Sequence, residues 1–60
     1  MWVRQMIQKG VTVKFSTNGD INTGVVVNID NNIIDIDEVN GDNIFPTWCF
    51  DTDICEIIAE

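Results

Sequence analysis

Val11, Val13 and Phe15 alternate with Thr12, Lys14 and Ser16, and Ile34 and Ile36 alternate with Asp35 and Asp37. Strand side chains point to opposite faces in turn, so this period of two gives each segment one apolar and one polar face. Asn-Gly pairs in "TNGD" at 17–20 and "VNGD" at 39–42, and "DNN" at 30–32, interrupt the runs. Asn-Gly favours positive backbone dihedrals at both centres of a hairpin turn. The pattern predicts strands over 11–17, 20–29, 33–39, 44–50 and 54–58, with "DTD" at 51–53 as a tight turn. On the second strand, Val25, Val27 and Ile29 are read as the shared buried face, with the apolar Val26 opposite. Pro46 cannot donate to a ladder and marks a strand start, an edge or a bulge.

These elements predict an all-β fold, a small five-stranded antiparallel barrel, as a single domain over residues 1–60. Gly24, inside the longest apolar run, predicts a bend or a close backbone approach. Trp2, Val3, Met6 and Ile7 have helical spacing, so residues 2–8 read as a helical turn capping the barrel or as an extra strand. A chain of 60 residues buries only about 60% of its unfolded surface, which favours a homo-oligomer.

Charge narrows the partners. Arg4, Lys9 and Lys14 are the 3 bases against 10 acids, a net charge of −7, and no base follows Lys14. Phosphate neutralisation by Lys and Arg supplies most non-specific nucleic-acid affinity, so nucleic acid is disfavoured and a basic protein surface favoured. The chain lacks a run of transmembrane length, and "MWVRQMIQKG" does not read as a signal peptide. The expected compartment is therefore the cytoplasm (the host's, for a viral protein). Cys49 and Cys55 are read there as reduced thiols, with a bridge between them as the alternative.

The spacing of Gly19, Gly24 and Asp30 in "GDINTGVVVNID" resembles the first motif of Sm-like proteins, within the class of SH3-like small barrels. The resemblance covers roughly residues 11 to 37 and implies that fold and a tendency to form rings or other oligomers. Where RNA-binding members carry an asparagine four residues after the motif aspartate, this chain has Ile34. In place of their Arg-Gly pair before the last strand stands "FDTDI", with Asp51 and Thr52. The resemblance thus implies the fold and not the RNA site.

Candidate sites follow from the acids and the aromatics. Asp35 and Asp37 share a face, with Glu38 at the strand end, and form either a solvated side or an acidic strip for a basic partner. "IFPTWCF" puts Ile44, Trp48 and Phe50 on one side and Phe45 and Cys49 on the other, more apolar surface than one small core requires. Exposed aromatics mark binding surfaces. The expected partner site is Asp35, Asp37, Glu38, Phe45 and Trp48, with Asp51 and Asp53. A calcium loop fails on register, because Val39 and Pro46 fall at ligand positions counted from Asp35. Two cysteines without histidine do not make a zinc site, and "GDINTG" lacks the ending and helix of a phosphate loop. No metal or cofactor is expected. With no histidine and no nucleophile motif, enzymatic chemistry is not expected either, Asp51 and Asp53 reading as turn residues.

The function read from these features is a non-enzymatic acidic binding protein that blocks or recruits a basic macromolecular partner. Compact acidic proteins of this type resemble virus-encoded inhibitors of nucleic-acid-handling enzymes, an analogy only. A second reading is an oligomeric sponge for a small nucleotide, with Trp2 stacking a base and Arg4, Lys9 and Lys14 holding phosphates at a subunit junction. A third is a structural assembly module.

Overall fold

The computed structural model describes residues 7–59. It contains β1 (Thr12–Thr17), β2 (Asp20–Asp30), β3 (Ile33–Asn40), β4 (Asn43–Phe50) and β5 (Ile54–Ala59), with a 3-10 turn over Asp51–Asp53 between the last two. Each strand lies within a residue of its sequence-predicted bounds. The expected structure of residues 2–8 falls mainly outside the described residues.

All five strands form one antiparallel sheet in the order β4-β3-β2-β1-β5. Short turns join neighbours in a meander from β1 to β4, and the 3-10 turn carries the chain back so that β5 pairs with β1. In the β1–β2 turn, Asn18 and Gly19 have φ of 52° and 86°, as the Asn-Gly signal requires. The β3–β4 turn differs. Its two central residues are Gly41 and Asp42, and only Gly41 (φ 64°) is left-handed, because Asn40 is used in the ladder opposite Asn43.

The core lies on one face of the sheet. Val11, Val13, Phe15, Val26, Ile34, Ile36 and Cys49 are buried, with Ile7, Ile54 and Ile57 packed against them. Phe15, Val13 and Ile36 are fully inaccessible. Each such side chain contributes roughly 1.5–3 kcal/mol of apolar burial, which makes this small cluster the main source of stability. The sheet coils around it until β1 touches β4, although β2 and β3 lie between them in the sheet. Among the described residues β4 and β5 do not pair, so the sheet is open along that seam and the closure of the expected barrel is not seen.

One face assignment is corrected. Val26 is buried (1% exposed), whereas Val27 and Ile29 are exposed (43% and 37%) and Val25 is half-buried. The pairs Val26↔Ile36 and Asn28↔Asp35 leave Val27 as an extra residue in β2. A bulge of this kind resets the alternation, so counting by two across Val27 fails. It also bends the strand next to Gly24, where the chain must coil. A Cβ on Gly24 would collide with Ile36 Cγ2 and lie 2.7 Å from the Asp37 carbonyl oxygen. The glycine is therefore a point of close strand approach, as its position in the run predicts.

Candidate binding face

The outer face of β3 and β4 is set by register. The two-residue turn at Gly41–Asp42 fixes the pairs Val39↔Ile44, Asp37↔Pro46, Asp35↔Trp48 and Ile33↔Phe50. Directly opposed residues share a face. Asp35 and Asp37 therefore stand beside an apolar row of Ile44, Pro46, Trp48 and Phe50. Trp48 is 53% exposed and Phe50 43%, and their rings meet edge-to-face with centroids 5.3 Å apart. Such a pair holds both rings in place while each stays about half in solvent. On the far side of Asp35, the side-chain amide of Asn28 donates to Oδ2 at 3.5 Å.

The structure thus brings Asp35, Asp37 and Trp48 together and separates others from them. Glu38 pairs with Phe45 and Gly24, and by parity it shares the face of Ile34 and Ile36 rather than that of Asp35 and Asp37. Glu38 and Phe45 accordingly sit at the opposite side of the sheet, with Phe45 half exposed (49%). Asp51 and Asp53 lie in the 3-10 turn. The Asp51 backbone N–H donates to the Asn32 carbonyl at 2.9 Å, and the Phe50 N–H donates to Asp53 Oδ2 at 3.1 Å. Asp53 therefore has a local structural task at the end of β4. The sequence reading left out Phe50 and Pro46 as site members. Pairing across the short turn would have placed them there, since it puts Pro46 opposite Asp37 and Phe50 opposite Ile33.

The two described bases, Lys9 and Lys14, do not converge on this face. Lys14 is registered between Thr23 of β2 and Glu56 of β5, two strands away from Asp35, and Lys9 is exposed before β1. Trp2 and Arg4 lie outside the described residues. Among the described residues, no three of the His, Cys, Asp and Glu side chains gather closely enough to hold a metal ion. No helix among them is long and apolar enough to cross a membrane.

An open groove of about 410 Å³ runs along the end of β4, bounded by Thr47, Trp48, Phe50 and Asp53 and, opposite them, by Thr17 at the end of β1 and Asn18 of the β1–β2 turn. Cys49 lies at its floor, buried, while Cys55 on β5 is exposed, and both are free thiols. Burial first, then the negative charges of Asp53 and Asp51 and the neighbouring Cys55, push the Cys49 thiol up from 9.0 to about 11. Its neutral form is favoured by folding. That stabilisation is complete below the unfolded value of 9.0 and is lost as pH rises towards about 11. At about pH 8 a maleimide should label Cys55 at once and Cys49 only as fast as the chain opens. The melting temperature should fall between pH 9.0 and about 11, and less steeply in Cys49→Ala. Equal labelling rates for the two thiols would place Cys49 at the surface.

Comparison of the chain with family models, curated proteins and solved structures returns no match. The functional reading rests on this face and its chemistry.

Proposed function

We propose that this chain is a small, acidic SH3-like (Sm-like) β-domain that binds the basic surface of a macromolecular partner and so blocks or recruits it. The meander order, the 3-10 turn before β5 and the pairing of β5 with β1 support that fold type. The observation that carries the function is the pairing of Asp35 with the exposed Trp48 on one outward face, flanked by Asp37 and Phe50. Carboxylates beside a half-exposed indole suit Lys and Arg, which take a charge partner and an aromatic surface together. The carboxylates also sit close on one strand, and an incoming cation relieves their mutual repulsion. The exposed Ile44 and Phe50 supply the apolar contact that a charged strip alone lacks, while Phe45, half exposed on the other side of the sheet, supports self-association of the chain.

The test is a titration of the protein with an arginine-rich peptide, followed by amide chemical shifts. Binding should weaken with salt and shift the resonances of Asp35, Asp37 and Trp48. Asp35→Lys with Asp37→Lys should reduce affinity by about tenfold or more while leaving the melting curve in place, since both side chains are on the outer face. Equal affinity in the double variant would remove this face from the function. The same reading allows for inhibition of a nucleic-acid-handling enzyme, whose phosphate-binding surface is basic.

A further inference from the structure

Among the described residues the candidate face ends at β4 in a strand edge with no further strand beside it, and the register fixes which of its backbone groups point outward. In a hairpin with a two-residue turn, the residues flanking the turn form a hydrogen-bonded pair, and such pairs then alternate along the ladder. Asn40↔Asn43 flanks the turn, so Phe45, Thr47 and Cys49 direct their backbone groups at β3, while Ile44, Pro46, Trp48 and Phe50 direct theirs away from it. Two bonds agree with this. The Asp51 N–H reaches the Asn32 carbonyl on the β3 side, and the Phe50 N–H is turned outward to Asp53. Pro46 is therefore the residue whose missing N–H falls on the open side, where it costs no bond to β3. The N–H groups of Ile44 and Trp48, and the carbonyls of Ile44, Pro46 and Trp48, face the seam between β4 and β5, where the described residues supply no strand.

We infer that the seam receives an extended segment of the partner, which adds to β4 as a further strand with basic and apolar residues in alternation. This rests on the function proposed above and specifies how the partner is held. Main-chain bonds to Ile44 and Trp48 would supply affinity, and alternate side chains would supply selectivity. Side chains on the outer face of the added strand would lie beside Trp48 and Pro46. From there Asp35 and Asp37 are two strand spacings away, about 9–10 Å, within reach of a Lys or Arg laid across the indole. Side chains of the other parity would point into the groove, where Trp48, Cys49 and Phe50 offer apolar contact to a small aliphatic group beside the polar Thr17, Thr47 and Asp53. Charge chooses the occupant. A second copy of this chain would add its own net charge of −7 to a face already lined by acids, whereas a basic strand neutralises it.

The experiment uses the full chain, isotopically labelled, and an alternating Lys-Val peptide of about seven residues. Two further peptides carry N-methyl groups on one parity of residues or on the other, leaving the charge unchanged. The unmodified peptide should bind and slow the exchange of the Ile44 and Trp48 amides. Methylation of one parity should weaken binding about tenfold, and methylation of the other should leave it intact. Equal binding of all three peptides, with shifts at Asp35 and Asp37, would overturn strand addition and keep the charge-based reading. No binding by any of them would count against both. Protection of the Trp48 amide in the free protein, increasing with its concentration, would make a second copy the occupant and overturn the inference.

Discussion

Phe15→Ala is expected to leave the chain largely unfolded at room temperature. Phe15 is fully inaccessible and stands on β1, the strand that pairs with both β2 and β5 and touches β4 across the core. Removing a buried phenyl ring costs about 3–5 kcal/mol, from lost apolar transfer and from the cavity left behind. A domain of this size has a total stability of only about 3–9 kcal/mol. Among the described residues the buried cluster is small, with little beyond Ile7, Ile54 and Ile57 to collapse into the void. Loss of the cooperative thermal transition and of the strand signal in circular dichroism checks this. A variant melting within a few degrees of the parent would show that the ring is not at the centre of the core.

Gly24→Ala is the second large effect, and it acts by excess rather than loss. The added methyl group meets Ile36 Cγ2, the Asp37 carbonyl oxygen at 2.7 Å and the Glu38 Cα at 3.1 Å. Two of these three neighbours are backbone atoms of the paired strand, which cannot rotate out of the way. Overpacking costs about 1–3 kcal/mol where side chains can adjust, and the upper end or more is expected where a ladder must separate. The chemical midpoint of unfolding should fall accordingly, and the shifts of Ile36 and Asp37 should move first. A neutral or stabilising alanine would mean that β2 and β3 are further apart at this point than the structure has them.

Much of the architecture was legible because the turns are local chemistry. Asn18-Gly19 and the pairs of turn residues between β2 and β3 and between β3 and β4 fixed the strand ends. The alternation of Ile34 and Ile36 with Asp35 and Asp37 fixed the faces of β3. β2 was misread because Val27 is an unpaired bulge residue, and four neighbouring apolar or neutral positions hide a slip of one. Bulges carry no residue signature comparable to Asn-Gly, so the identity of the buried valine, Val26, had to come from the pairing with Ile36. Glu38 was grouped with Asp35 and Asp37 by nearness in sequence, although its parity places it with the core residues. The binding face itself was half legible. Its acids and Trp48 were read strand by strand, but their adjacency depends on the register across Gly41–Asp42, which joins Asp35 to Trp48 and Asp37 to Pro46. Pro46 was read as a strand start, an edge or a bulge, and of these the edge is what the sheet shows, since β4 lies at one end of it. The open seam beside it follows from long-range curvature, for which no local residue pattern speaks.

Amide hydrogen exchange on the dilute free protein tests the central claim most directly, that one coiled, open sheet packs Phe15, Val26 and Ile36 on its inner face and ends at β4. The account predicts slow exchange at Val26, Ile36 and Thr47, whose N–H groups are in the ladders, and fast exchange at Ile44 and Trp48, whose N–H groups face the seam. Fast exchange at Val26 and Ile36, or slow exchange at Trp48 in the isolated chain, would contradict it.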